Sequence, residues 1–181
     1  MRILVYGGSG SGKSAYAERI MPRLGGTGRL WYIATMRPDG REAVERIARH
    51  QAARAHKGFT TVEIHAGLER LALPDDSPAL LECVGNLLAN EMFAPEGRGA
   101  EAIEALWLGL EALGNRTRHL VAVTNDVFAD GVGYPPETEA YRRGLAEINL
   151  RLASASDMVV EMVCGIPLFH KSPQEADPCW P

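Results

Sequence analysis

A glycine-rich segment near the start of the chain constrains its fold more than any other feature. Residues 7–14 match the pattern G-x-x-x-x-G-K-[ST], between the apolar residues 3–6 and a helix-like stretch that begins at Ala15. Glycines let the backbone turn with its N–H groups facing inward at the positive end of a helix, where a phosphate chain binds. The segment therefore predicts a P-loop, with Lys13 on the β- and γ-phosphates and Ser14 as a Mg²⁺ ligand. The predicted nucleotide-binding residues are Gly7, Gly8, Ser9, Gly10, Ser11, Gly12, Lys13 and Ser14.

Apolar runs alternate with helical patterns along the rest of the chain. The runs predict strands near residues 2–6, 30–33, 60–64, 79–81, 119–123 and 158–163, and helices near 13–22, 40–56, 85–94, 100–114 and 137–155. Most of the runs are continuous, which is typical of strands buried on both faces. We therefore expect an α/β fold, a doubly wound and mostly parallel sheet in one P-loop NTPase-like domain over residues 1–172. Residues 173–181 contain prolines and no periodicity, so they are predicted to form a loosely held tail.

Charge and composition narrow the function classes. The 181 residues carry a net charge of −4, which argues against a nucleic-acid partner bound through bulk positive charge. The three cysteines lack C-x-x-C spacing, so neither a disulfide framework nor a zinc site is indicated. No run approaches the roughly 18 apolar residues of a membrane span, and no cationic leader is visible. We expect a cytoplasmic protein that binds a small anionic ligand.

Residues that follow the predicted strands are the next candidates, because ligands bind beyond the carboxyl ends of parallel strands. Glu82 follows the run at 79–81, where a P-loop protein carries the acid that holds Mg²⁺ directly or through water. A solvated strand terminus is the alternative. Thr124, Asn125 and Asp126 follow residues 119–123 and could contact substrate or Mg²⁺, although Asn and Asp also favour turns on their own account.

The predicted helix at 40–56 carries a histidine between two arginines. Arg46, His50 and Arg54 are spaced i, i+4 and i+8 and are expected to share a face. Nearby positive charge disfavours the imidazolium form, which would keep His50 neutral and nucleophilic while the arginines hold phosphates. A solvated basic face with an incidental histidine explains the same spacing, and the spacing alone leaves both interpretations open.

Several short motifs occur in an order that resembles one enzyme family. They are the P-loop, Tyr32-Ile33-Ala34-Thr35, Arg46-Ile47 followed by His50 and Arg54, Leu80-Leu81-Glu82-Cys83, Val123-Thr124-Asn125-Asp126, and Gly165-Ile166-Pro167. Over about residues 2–167 this order is similar to that of the bifunctional adenosylcobinamide kinase/adenosylcobinamide-phosphate guanylyltransferases of cobalamin biosynthesis.

The resemblance implies two reactions. In one, a nucleoside triphosphate (ATP or GTP) phosphorylates the aminopropanol hydroxyl of adenosylcobinamide; in the other, GTP guanylylates a histidine, which passes GMP to adenosylcobinamide phosphate. The histidine that matches the intermediate is His50, and Glu82 would lie near Mg²⁺. Further nucleotide contacts implied by the resemblance are Ile33, Ala34, Thr35, Gln51, Ala52, Ala53, Arg54, Glu63 and Glu82. A trimeric homo-oligomer is implied in the same way.

The chain departs from the family pattern at three glycines. Gly10 stands where the family usually has a P-loop arginine, and Gly85 stands where it has threonine. Gly144 replaces the acid that often follows a Phe/Tyr-Arg pair in the last long helix. Two alternatives therefore stay open: an enzyme that retains one of the two activities, and a regulatory protein that binds GTP without turnover.

Overall fold

The computed structural model describes residues 1–26, 28–128 and 130–173, with the side chain of Ala53 left out. Within these ranges the strands are β1 (Arg2–Tyr6), β2 (Leu30–Ala34), β3 (Phe59–Glu63), β4 (Pro78–Leu81), β5 (His119–Val123), β6 (Met158–Val163) and β7 (Ile166–Lys171). The α-helices are α1 (Lys13–Gly25), α2 (Gly40–Arg54), α3 (Val84–Phe93), α4 (Ala102–Arg116) and α5 (Pro136–Ala155).

The strands form one sheet in the order β3-β2-β4-β5-β1-β6-β7. Every neighbouring pair is parallel except β6 and β7, which are antiparallel. Strand β1, which leads into the P-loop, therefore lies in the interior of the sheet, and β5 separates it from β4. The predicted α/β, doubly wound and mostly parallel architecture is confirmed.

Both faces of the sheet are buried, which explains the continuous apolar runs. On one face Ile3 and Val5 pack with side chains of α1, and on the other face Leu4 packs in a core that includes side chains of α3, α4 and α5. In α5 the predicted core stripe is present, since Leu145, Ile148 and Leu152 are buried and Tyr141 packs against them.

Helix α2 differs from the other helices. Of its described side chains only Arg54 is buried, and Val44 is 50% exposed. The polar contacts near its C-terminal end are therefore important for its position on the sheet. None of the described helices has an apolar stretch long enough to cross a membrane.

Strand β7 was not predicted. It is an edge strand, mostly exposed, and Pro167 lies at its second position, which weakens a strand pattern. A two-residue turn joins it to β6, with Cys164 at φ 49° and Gly165 at φ 84°, the backbone of a tight hairpin. The tail predicted at 173–181 lies outside the described residues except for Pro173.

Candidate active site

A cavity of about 660 Å³ opens at the carboxyl ends of β1, β4 and β5. Its walls come from the P-loop, the start of α1, the cavity-facing side of α2, and the segments that follow β2, β4 and β5. The lining residues are Ser9, Gly10, Ser11, Gly12, Lys13, Ser14, Ala15, Met36, Arg46, Arg49, His50, Glu82, Cys83, Asn86, Val123, Asn125, Asp126 and Val127.

The P-loop is held by close backbone contacts. A Cβ atom on Gly7 would lie 2.6 Å from the carbonyl oxygen of Met162, so only glycine fits between β1 and β6. At the far side of the loop, the Gly165 N–H in the β6–β7 turn donates to the carbonyl oxygen of Ser11 at 3.0 Å. The hairpin that the sequence did not predict therefore braces the phosphate-binding loop.

Lys13 lies at the start of α1 with its ammonium group over the loop. Its Nζ donates to the Gly8 carbonyl oxygen at 2.8 Å, and burial lowers the pKa of the Lys13 ammonium. A cation in partly desolvated surroundings attracts phosphate more strongly than one in water. Ser14 lines the same cavity, so the two side chains predicted to contact phosphate and metal lie together.

Glu82, directly after β4, is the buried acid of the site, with 8% of its surface exposed. Its Oε1 accepts from the Tyr32 hydroxyl at 3.1 Å, and its Oε2 accepts from the Thr35 backbone N–H at 3.0 Å. Burial by itself would raise the pKa of the Glu82 carboxyl, but hydrogen bonds from His50, Thr35 and Tyr32 outweigh it, and the net shift is downward. Glu82 is therefore an anionic acceptor at neutral pH.

His50 faces that carboxylate. Its Nδ1 lies 3.4 Å from Glu82 Oε1, and its side chain is 33% exposed at the cavity. With the ring proton on Nδ1, the imidazole presents its N–H to the buried carboxylate and keeps a free lone pair on Nε2. The imidazole is thus oriented by an acid from β4.

The prediction that Arg46 and Arg54 both lie on the same face as His50 is wrong for Arg54. The Arg54 guanidinium lies over the Tyr32 ring, 3.9 Å from its centroid, and is buried away from the cavity. Eight residues correspond to about 80° of rotation beyond Arg46 at 3.6 residues per turn, enough to turn this side chain toward the sheet. Arg46 does line the cavity, and it also pairs with Glu42 at 2.7 Å. The structure places the carboxylate of Glu82 against the imidazole, and the expectation that Arg46 and Arg54 flank His50 on one face is not supported.

The other predicted nucleotide contacts do not line the cavity. Ile33 and Thr35 are buried under Glu82, and Ala34 is half-buried in β2. Gln51 and Ala52 are exposed on α2, and Glu63 is exposed at the end of β3. The side chain of Ala53 lies outside the described part of the chain. Thr35 has a supporting role, since its backbone N–H donates to the Glu82 carboxylate.

Several lining residues were missed from the sequence. Arg49 adds a second cation from α2, and its position one residue before His50 is the signal that could have identified it. Met36 and Asn86 carry no motif of their own. Cys83 lines the cavity and caps α3 by accepting from the Asn86 N–H at 3.4 Å, and burial raises the pKa of the Cys83 thiol. It is therefore a neutral thiol at physiological pH.

Residues after β5 serve both as a turn and as a wall of the cavity. Asn125 and Asp126 line the cavity, and the Asp126 N–H donates to the Gly7 carbonyl oxygen at 2.9 Å. Asp126 Oδ1 also accepts from the Phe128 N–H at 3.1 Å, which is a turn contact. Both interpretations of this segment are thus compatible with its geometry.

The glycine departures differ in their surroundings. Gly10 lines the cavity with φ +70° and open space around its Cβ position. A Cβ on Gly85 would lie 2.9 Å from the Tyr141 hydroxyl, and one on Gly144 would lie 3.1 Å from Cδ1 of Ile103. Gly144 therefore makes room for a side chain outside the cavity, whereas Gly85 adjoins Asn125 and Cys83 of the cavity wall. Of the three glycines, Gly10 is the one that itself lines the cavity.

The residues present fit a Mg²⁺ ion. Mg²⁺ prefers oxygen ligands and is commonly held by one or two protein oxygens together with phosphates and water. Ser14 and Glu82 supply a hydroxyl and a carboxylate in the same cavity. No group of three or more His, Cys, Asp or Glu side chains with metal-binding geometry occurs among the described residues.

Comparisons with known proteins agree with this geometry. The chain is 35% identical to the bifunctional adenosylcobalamin biosynthesis protein CobU of Salmonella typhimurium and 34% identical to CobU of Escherichia coli, each over 92% of this chain and 97% of the relative. Its fold resembles that of the flagellar accessory protein FlaH from Methanocaldococcus jannaschii, with a TM-score of 0.55 at 12% identity over 95% of this chain and 78% of the other. Residues 3–169 match the family model described as cobinamide kinase / cobinamide phosphate guanyltransferase. The chain therefore belongs to this family of kinase and nucleotidyltransferase enzymes.

Proposed function

We propose that this enzyme phosphorylates adenosylcobinamide with a nucleoside triphosphate, and then transfers GMP from GTP to adenosylcobinamide phosphate through a guanylylated His50. One observation carries the proposal: His50 lines the same cavity as Lys13 and Ser14, although it comes from a different helix. A P-loop alone would support only phosphoryl transfer. A histidine oriented by a buried acid within the cavity supports a covalent nucleotide intermediate.

The guanylyl transfer follows from the orientation of His50. Nε2 attacks the α-phosphorus of GTP, the bond from that phosphorus to the bridging oxygen breaks, and pyrophosphate leaves. Glu82 holds the proton on Nδ1 and stabilises the positive charge that develops on the ring. A phosphate oxygen of adenosylcobinamide phosphate then attacks the same phosphorus, and the bond to Nε2 breaks, which restores the neutral imidazole.

Phosphoryl transfer uses the other end of the nucleotide. The aminopropanol oxygen attacks the γ-phosphorus, and the bond from that phosphorus to the β–γ bridging oxygen breaks. The hydroxyl proton passes to solvent water, and the nucleoside diphosphate leaves. Lys13 and the N–H groups of the P-loop stabilise the charge on the phosphate oxygens. Arg46 and Arg49 add positive charge to the cavity wall from α2.

Ser14 and Glu82 are the residues proposed to hold Mg²⁺, Glu82 directly or through water. The ion would neutralise phosphate charge when bound. Nucleotide contacts from residues 33–35, 51–54 and Glu63 remain predictions, and so do a trimeric assembly and a cytoplasmic location.

A labelling experiment tests the covalent step. GTP labelled at its α-phosphate, with Mg²⁺ present, should leave acid-labile and alkali-stable label on the protein, and His50→Asn should abolish the label. His56→Asn is the matched control, because His56 is exposed beyond the end of α2 and does not line the cavity. Absence of label on purified wild-type protein that binds GTP would refute guanylyl transfer through His50. Retained phosphorylation would then leave a kinase alone, and binding without turnover would leave the regulatory alternative.

A further inference from the structure

The segment between β5 and α5 carries exposed apolar side chains beside the cavity. Its first residues, Asn125 to Val127, line the cavity. The next described residues include Phe128, Val132 and Tyr134, whose exposed fractions are 37%, 56% and 38%. We refer to these three residues as the apolar rim. Exposed apolar groups on a loop next to a ligand site are typical of a binding surface.

One side chain from α5 holds this segment in shape. Arg142 donates to the carbonyl oxygens of Phe128 and Val132, each at 3.4 Å, so the two halves of the loop converge on one guanidinium group. Only 16% of the Arg142 side chain is exposed. Five N–H donors in a rigid plane suit a residue that gathers several acceptors, and lysine cannot reproduce that pattern.

The same guanidinium group contacts the acidic and aromatic residues of the loop. It lies 3.1 Å from Glu139 and 3.5 Å from Asp130, and its carbon is 5.0 Å from the centroid of the Tyr134 ring. The Tyr134 hydroxyl donates to Asp130 Oδ2 at 2.6 Å, and that hydrogen bond is the main cause of the lowered pKa of the Asp130 carboxyl. The three rim residues are therefore joined by one network centred on Arg142.

The size of the cavity indicates which part of the acceptor would contact the apolar rim. A volume of about 660 Å³ is in the range for one ligand of moderate size, and the lining is mostly polar or glycine. A nucleotide accounts for that space, so a corrin macrocycle with its amide side chains cannot share it. Only the hydroxyl or phosphate arm of the acceptor can enter, and the macrocycle must lie outside the cavity. Phe128 of the rim directly follows Val127 of the cavity wall, and Arg142 joins it to Val132 and Tyr134.

We propose that the apolar rim is the docking surface for the corrin macrocycle and that Arg142 is its positioning residue. This inference rests on the proposed function, because it needs the corrinoid acceptor. The rim would therefore determine the affinity for the corrinoid acceptor, whereas other residues bind the nucleotide phosphates.

Steady-state kinetics with the full chain test the inference. For Arg142→Gln we expect KM for adenosylcobinamide to rise about tenfold or more, the scale of losing a central interface contact, with kcat at saturating acceptor within about twofold. Arg142→Lys should restore part of the affinity, since it keeps the charge but not the fork. Arg143→Gln is the matched control, because Arg143 is exposed on the same helix. The Kd for GTP should be unchanged in all three variants.

Phe128→Ser provides a second test that does not depend on the stability of the Arg142 network. It removes a rim side chain from the surface and should also raise KM for the corrinoid while guanylylation of the protein by GTP stays normal. If wild-type enzyme turns over the corrinoid and neither variant changes its KM, the inference is overturned while the proposed function stands. A changed sedimentation coefficient with unchanged KM would mean that a second copy of the chain covers the rim, which also overturns it. No corrinoid turnover by wild-type enzyme refutes both proposals.

Discussion

Replacing Glu82 with glutamine tests whether the carboxylate acts through His50. Glutamine has nearly the same volume, so it keeps the packing of a side chain that is 8% exposed. It also keeps one oxygen that can accept from Tyr32 or Thr35. With its oxygen at the Oε1 position it would still meet Tyr32 and His50, but its NH₂ group would face the Thr35 N–H, and in either orientation the negative charge beside His50 is lost.

The size of the effect follows from the loss of the charged acceptor that faces His50. A hydrogen bond to a charged group contributes about 1.5–3 kcal/mol, and a pair that reaches solvent belongs in the lower half of that range. The His50 side chain is 33% exposed, so we expect a loss of about 1.5–2 kcal/mol in the guanylylation step. That corresponds to a rate roughly 10- to 30-fold lower. Transfer of the γ-phosphate does not use His50 and is expected to fall by much less.

The assay compares two rates in the same variant. Guanylylation of the protein is followed with GTP labelled at the α-phosphate, phosphorylation of adenosylcobinamide is followed separately, and both are titrated with Mg²⁺. A guanylylation rate that falls at least about fivefold more than phosphorylation supports the contact with His50. Equal losses in both reactions, recovered at high Mg²⁺, would refute it and assign Glu82 to the metal alone.

Glu82→Gln also changes the dependence of stability on pH. The pKa of Glu82 in the folded protein lies below its ordinary value of 4.5, so its contribution to the free energy of unfolding is present above that value and is lost as pH falls through the folded pKa. We expect the variant to be less stable than wild type at neutral pH and the two to converge in acid, as measured by urea unfolding. A difference that is constant from neutral to acidic pH would contradict the assigned cause.

Other variants test the remaining parts of the site. Lys13→Ala should eliminate phosphorylation of adenosylcobinamide with little change in the melting temperature, and persistent activity would refute the role of Lys13 on the phosphates. Gly7→Ala should abolish GTP binding because its Cβ meets backbone at 2.6 Å, whereas Gly10→Ala has open space and should bind GTP while losing about 1 kcal/mol of stability to its positive φ. Iodoacetamide should alkylate exposed Cys164 before Cys83, whose thiol pKa is raised by burial, as read by peptide mass spectrometry; the reverse order would contradict that shift.

The confirmed predictions were those that depend on local sequence alone. The boundaries of β1, β5 and β6 were predicted to the residue, because apolar runs buried on both faces need no information from distant parts of the chain. The P-loop was predicted for a similar reason, since its glycines, Lys13 and Ser14 form one short motif between a strand and a helix. Strand β7 was missed because it is an exposed edge strand whose apolar and polar residues do not alternate.

The arrangement around His50 could not be predicted in this way. Spacing along α2 suggested that Arg46 and Arg54 were equivalent neighbours of His50, yet one faces the cavity and the other is buried on Tyr32. The direction of a helix face is set by what the helix packs against, and α2 has only Arg54 buried among its described side chains. The spacing therefore identified arginines close to His50 along α2, but it did not predict which side of the helix each arginine would face.

The contacts of Glu82 explain why the fold and the chemistry of this site are inseparable. Tyr32 donates its hydroxyl to Glu82 and presents its ring to Arg54, so one side chain of β2 touches both the acid and the end of α2. Glu82 in turn lies against His50, which is one turn before Arg54 on the same helix. A helix with little apolar attachment is thus fixed to the sheet at two points four residues apart, by a cation on an aromatic ring and by an imidazole on a carboxylate. The acid that follows β4 is well placed to orient the nucleophile because the same interactions determine where the nucleophile's helix lies.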